Sequence, residues 1–282
     1  MSHEHAGPSA WLRGVGLWTL GHPSFAAWVA AGMPEQFDPA PDATPGKPSA
    51  DLLHPRLRRR TSLLTRMIVT ALAEAAQQGG AAHEQTRYIV VSSWGEIETT
   101  VELLGQLAIP GGPISPTAFH NSVHNTATGY LSIASGNHWP STALAAGPHA
   151  LEIGLLEACA GLRSLEGPGD ALLILAEERL PAPFDRVDAD PSFALALHLA
   201  RTPGRASHAS SLDRRIELSS QPREAAELSV GDRLPSLVRS LRPLLRAIHE
   251  GSSAAIPLLE QLDAPPNAEG VEHVWTARLH SP

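Results

Sequence analysis

The stretch Trp139-Pro140-Ser141-Thr142-Ala143-Leu144-Ala145-Ala146-Gly147-Pro148-His149-Ala150-Leu151 constrains this chain more than any other. A short uncharged run ends on a glycine, a proline follows, and a helical pattern begins at once. Proline suits a first helical turn, where its missing N–H would have had no partner anyway. The segment therefore reads as strand, sharp turn and helix start. A strand that feeds directly into a helix belongs to a layered α/β architecture, in which helices cover a sheet.

The rest of the chain repeats that alternation. Leu63, Leu64, Met67, Ile68, Ala71, Leu72 and Ala75 recur at spacings that fit one helix face, which predicts an amphipathic helix over 61–78, ended by Gly79-Gly80. Further helices are predicted over 97–107, 117–135, 148–162 and 234–249. Strands are predicted over 11–18, 87–92, 142–146, 171–177, 192–200 and 273–279, with another at 215–218. Segments 31–55 and 201–230 read as loop. No internal repeat is visible.

Bulk properties exclude some functions. The net charge of −8 opposes binding to a nucleic-acid backbone, which needs a basic field. One cysteine, Cys159, rules out an intramolecular disulfide and fits a reducing compartment. No apolar run reaches the ~18–20 residues of a membrane span. No charged segment followed by an apolar run opens the chain, so no leader is expected and the expected location is cytoplasmic.

The candidate chemistry is sparse. His149 is the one titratable group at the turn; it reads either as a base or carbonyl ligand, or as a hydrogen-bonded structural residue. His120 and His124 lie four apart on the helix predicted over 117–135 and would share a face, with Asn121 and Asn125 repeating the spacing. That spacing can hold zinc, but His-Glu-x-x-His is absent and no third ligand presents itself, so no metal is expected. No Gly-x-Ser-x-Gly marks a serine hydrolase. Arg58, Arg59 and Arg60, with Arg56 and Arg66, form the one basic cluster, which is either a solvated helix start or a docking patch for an acidic partner.

Three motifs, in order, carry a resemblance. The first is Leu57-Arg58-Arg59-Arg60-Thr61-Ser62-Leu63-Leu64-Thr65-Arg66-Met67. The second is Ser115-Pro116-Thr117-Ala118-Phe119-His120-Asn121-Ser122-Val123-His124-Asn125-Thr126-Ala127-Thr128-Gly129-Tyr130, and the third is the turn at 139–151. Together they resemble the N-terminal half of the β-ketoacyl synthases of the thiolase-like superfamily, over roughly residues 10–200. The nearest variety is the short chain length factor of aryl polyene-type synthases. The resemblance implies a thiolase-like layered α/β fold: essentially one half, a mixed five-stranded sheet flanked by helices over 10–200, with a reduced extension over 201–282.

The resemblance places Gly147 where the family carries its nucleophilic cysteine. Cys159 lies twelve positions further on, about 18 Å along a helix, and cannot replace it. The family's second half supplies two catalytic histidines; His208, His249, His273 and His280 are not in such contexts. The implied role is a non-catalytic subunit that pairs with an active ketosynthase and needs no cofactor. It would meet an acyl carrier protein bearing a phosphopantetheine-bound acyl chain, with Arg58, Arg59 and Arg60 as docking candidates. Phe119, His120, His124, Tyr130 and His149 become tunnel or pocket candidates. Ser141, Thr142, Ala143, Leu144, Ala145 and Ala146 become interface candidates. Two rivals stay open: an independent enzyme using His149 or His120 with His124, and a stand-alone acyl-binding scaffold.

Overall fold

The computed structural model describes residues 7–35, 37–38, 46–185, 190–204, 212–224, 236–258 and 271–281. Its strands are β1 (Ser9–Thr19), β2 (Thr86–Val91), β3 (Thr142–Leu144), β4 (Asp170–Glu177), β5 (Phe193–Ala200), β6 (Arg214–Glu224), β7 (Ala255–Pro257) and β8 (Val271–His280). They form one eight-stranded sheet in the order β3-β2-β4-β5-β1-β6-β8-β7. β2 runs parallel to β3 and β4, and the other pairings are antiparallel.

The central strands are apolar on both sides because both sides are covered. β4 and β5 carry Ala-Leu-Leu-Ile-Leu-Ala and Phe-Ala-Leu-Ala-Leu, buried almost throughout. Alternate residues serve different cores. Leu173, Leu175, Leu195 and Leu197 face α7 (Ala150–Arg163) and α8 (Leu237–Glu250). Leu172, Ile174, Ala194 and Ala196 face α3 (Leu63–Gly79) and α6 (Thr126–Ser135). The result is a three-layer mixed α/β fold.

Two short helices, α1 (Phe25–Ala30) and α2 (Pro55–Arg58), precede α3, which lies directly on β1, and two glycines permit that contact. A Cβ on Gly16 would sit 2.0 Å from the Ala71 carbonyl oxygen, and one on Gly14 would sit 2.2 Å from that of Ala75. Ser62 caps the helix, accepting from the Thr65 amide at 3.0 Å, and Gly80 ends it at φ 70°.

Two segments differ from the sequence reading. The five strands expected within 10–200 are joined by β6, β8 and β7 in the same sheet. β6 contains the strand expected at 215–218 and extends it at both ends into the segment otherwise expected as loop; 205–211 and 225–230, with His208, lie outside the described residues. Its Arg-Arg-Ile-Glu-Leu sequence buries Ile216 and Leu218 and leaves Arg215 and Glu217 half-exposed, the period-2 pattern of a sheet covered on one side. The start of the helix expected at 234 also lies outside the described residues.

The helix expected over 117–135 is two helices, α5 (Pro116–Asn121) and α6, broken at 122–125. Asn125 caps α6 with non-helical backbone. His120 and His124 therefore do not share a helix face.

Candidate functional site

The parallel strands β3, β2 and β4 finish at the same end of the sheet, where loops from separate strands converge. One of these is the turn at Gly147. Its φ is +53°, in the left-handed region, and no atom lies within 4 Å of where its Cβ would be. A single 3-10 turn, Gly147–His149, leads into α7. The loop after β2 holds the turn in place: the Ser93 hydroxyl donates to the Gly147 carbonyl at 3.2 Å. His149 Nδ1 pairs with Glu152, one turn into α7.

Three buried carboxyl groups lie under these loops. Glu177, the last residue of β4, accepts from the Ser92 hydroxyl at 3.0 Å and from the amides of Ser93 and Trp94. Glu96 accepts from Ser62 at 2.8 Å and Thr65 at 3.0 Å. Glu178 accepts from the Leu64 amide at 3.0 Å. Burial pushes the Glu96 and Glu177 carboxyls up to about 7, against the pull of those hydrogen bonds. Burial, then the neighbouring Glu96 and Glu98 charges, raises Glu178 to about 8. The cluster fixes the loop after β2 to the start of α3 and to the end of β4.

The polar residues of the second motif hold a corner. The Tyr130 hydroxyl donates to Asn121 Oδ1 at 3.1 Å, and Asn121 Nδ2 donates to the Arg60 carbonyl at 2.6 Å. His120 packs edge-on against the Tyr130 ring, with centroids 5.8 Å apart. His124 Nε2 lies 2.8 Å from the Ser92 carbonyl oxygen, which can only accept, so that nitrogen carries the proton. Between these elements α4 (Ile97–Leu107) buries Leu103 alone. Leu104, Leu107, Ile109, Ile114, Phe119 and Val123 stand exposed from α4 to the α5–α6 break, Phe119 at 62%.

This arrangement of a strand, a glycine turn and a helix beside a loop rich in small residues coincides with a sequence match. The family model described as β-ketoacyl synthase, N-terminal domain, matches residues 30–253. The chain belongs to the β-ketoacyl synthase family. Solved ketosynthases share its fold. The structure of the ketosynthase ApeO in complex with its chain length factor ApeC from Xenorhabdus doucetiae has a chain that superposes at TM-score 0.66 and 20% identity, covering 95% of this chain and 99% of that one. A β-ketoacyl synthase from Burkholderia phymatum gives 0.54 at 13% identity, over 86% and 70%. The ishigamide ketosynthase/chain length factor gives 0.52 at 15%, over 78% and 65%. No match is found among curated proteins.

Within this ketosynthase fold the sequence-derived residues scatter. Thr142, Ala143 and Leu144 form β3, which among the described residues has a neighbour on one side only; Ser141 and Ala145 are exposed and Ala146 enters the turn. Arg58 is engaged locally, donating to Asp51 and to the Ser49 carbonyl, each at 2.7 Å, while Arg59 and Arg60 are exposed. Cys159 is buried and its thiol is pushed up to about 11 by that burial. Among the described residues no group of three His, Cys, Asp or Glu side chains is arranged to hold a metal, and no helix is long and apolar enough to cross a membrane.

Sequence reasoning missed Glu96, Glu177 and Glu178. The available signal was Glu177-Glu178 closing an otherwise apolar strand, because adjacent acids at the end of a buried strand need partners or protons.

Proposed function

We propose that this chain is a chain length factor-like subunit that pairs with an active β-ketoacyl-ACP synthase and does not condense acyl groups itself. The observation that carries this reading is Gly147: the turn and the helix are kept, and the position that would need a thiolate has no side chain. A condensing nucleophile needs a thiolate at a helix start, where the dipole lowers its pKa. Cys159, buried and with a raised pKa, has the opposite environment.

A subunit needs a surface to pair through. The open edge of β3 and the exposed apolar side chains from Leu104 to Val123 supply one, and a patch of that kind is unusual on a protein that works alone. In this reading the mate brings the cysteine and histidines, and the α5–α6 corner, with Phe119, His120, His124, Tyr130 and His149, lines the far end of the acyl tunnel. Side-chain bulk there limits growth of the chain. Arg59 and Arg60 are left to meet an acidic acyl carrier protein. The pathway is aryl polyene or related polyketide and fatty acid synthesis, in the cytoplasm.

The rival reading, an independent enzyme, draws on the His149–Glu152 pair at the turn, since a carboxylate-oriented histidine is a usable base. Co-expression with the ketosynthase encoded nearest to this chain separates the two. A co-purifying 1:1 complex, with no condensation by this chain alone, supports the subunit. A monomer or homodimer that ignores the ketosynthase overturns it.

A further inference from the structure

Beside the carboxyl cluster lies an open groove of about 460 Å³, bounded by the start of α3, one face of α4 and the end of β4. Its lining includes Ser62, Thr99, Val101 and three acids, Glu98, Glu102 and Glu178, and no basic residue lines it among those described. Glu98 and Glu102 are exposed and one helical turn apart, so they share a face of α4. Glu178 is 3% exposed; its Oε1 accepts from Leu64, the Glu98 amide also approaches the carboxyl, and its Oε2 is buried without a hydrogen bond of good geometry. Arg179, the next residue, turns away to Asp38 at 3.8 Å. A buried carboxyl short of donors costs free energy, so Glu178 keeps its proton near neutral pH, and the negative charge of the groove is that of the two exposed acids at its rim until a cation arrives.

The groove thus asks for a cation with several N–H donors. A guanidinium suits it best: it is flat, carries five donors in a fixed fork, and is less strongly hydrated than an ammonium. The same short helix, α4, that walls the groove also carries the exposed Leu104 and Leu107. Whatever covers those side chains therefore brings its own residues to the groove.

We propose that the groove receives an arginine side chain of the partner ketosynthase, its guanidinium bridging Glu98 and Glu102 and donating to Glu178 Oε2. This rests on the subunit reading and adds the contact that selects the mate. A charged pair seated at the margin of an apolar patch fixes register and rejects partners that lack the complementary charge.

The test uses the full chain and the ketosynthase encoded nearest to it. The dissociation constant is measured at 50 mM and 300 mM NaCl for the wild type and for the double variant E98Q/E102Q. Both glutamates are exposed, so the double variant folds whether or not Glu178 tolerates change. The expected result is about tenfold weaker pairing of the double variant at low salt, with a shallower salt dependence. Masking the mate's arginines with phenylglyoxal should weaken the wild-type pair equally and affect the double-variant pair no further. Equal affinity and equal salt slope for the two forms overturn the arginine contact and leave the subunit reading standing. Failure of the wild-type pair to form at all overturns the subunit reading, and this contact with it.

Discussion

The Ser93 hydroxyl and the Gly147 carbonyl oxygen are 3.2 Å apart and hydrogen-bonded, which ties the loop after β2 to the turn before α7. Through Ser92 and the Ser93 and Trp94 amides the same loop is fixed to Glu177 at the end of β4. The turn is therefore held by its neighbours, not by its own side chain, and its geometry should survive substitution at Gly147.

Gly147→Cys tests this. There is space for the sulfur, since no atom lies within 4 Å of the Cβ position, but the backbone stands at φ +53°. Holding a non-glycine residue there costs about 1–2 kcal/mol. The variant should fold, melt about 2–8 °C lower than the wild type, and give one thiol that reacts with iodoacetamide in the native state. It should still not condense acyl groups alone, as measured by malonyl decarboxylation and product mass. Turnover by the isolated variant would show that the remaining machinery is present in this chain.

Cys159 supplies the matching control. Its side chain is fully buried and its thiol is raised to about 11. At pH 8 and without denaturant the wild type should consume almost no DTNB, and in guanidinium chloride it should release one equivalent. Rapid native labelling would mean that α7 opens far more readily than its packing implies.

The exposed apolar side chains predict a separation of stability from assembly. Leu104→Asp and Phe119→Asp place charges on side chains that bury little in this chain, so thermal stability should change by less than about 0.5 kcal/mol. Solubility of the isolated chain should rise. Pairing with the ketosynthase, followed by size exclusion and mass measurement, should fall by at least tenfold for the double variant. Unchanged pairing would move the interface elsewhere.

Close packing beneath α3 gives a prediction about the fold itself. Gly16→Ala puts a methyl carbon 2.0 Å from the Ala71 carbonyl, and backbone on both sides must move to admit it. The loss should reach about 3 kcal/mol, the upper end of the usual range for overpacked core changes, as read from urea midpoints. Gly46→Ala, which meets its nearest neighbour at 3.6 Å, should leave the midpoint almost unchanged.

Much of the architecture could be read from residue pattern, because burial writes itself into spacing. α3 shows a helix stripe, and β4 and β5 show the continuous apolar runs of strands covered on both faces. Only 215–218 of β6 was legible, from the alternation of Arg215 and Glu217 with Ile216 and Leu218; the rest hid because Ser219, Ser220 and Gln221 are polar and exposed, which looks like loop. The α5–α6 break hid because Ser-Val-His-Asn keeps a plausible helical composition. What interrupts the helix is tertiary: His124 bonds the Ser92 carbonyl and Asn121 bonds the Arg60 carbonyl, partners 32 and 61 positions away in the chain. The carboxyl cluster was illegible for the same reason, since its three members meet only once β2, β4 and α3 are assembled.

That cluster makes stability depend on pH in a direction opposite to the usual salt-bridged carboxylate. Glu96, Glu177 and Glu178 all sit above their ordinary value of 4.5, near 7, 7 and 8. Between pH 4.5 and about 8 the unfolded chain has released protons that the folded chain still holds. Each rise in pH through that window therefore favours unfolding. The contribution of these groups is complete below pH 4.5 and is lost as pH climbs through 7 to 8. The melting temperature should be lower at pH 8 than at pH 5.5. Glu178→Gln keeps an oxygen for the Leu64 amide but cannot ionise. It should regain on the order of 2–4 kcal/mol at pH 8 and little at pH 5. Parallel pH profiles for wild type and variant would show that Glu178 stays ionised in the folded chain, with a compensating cation within reach of its carboxylate.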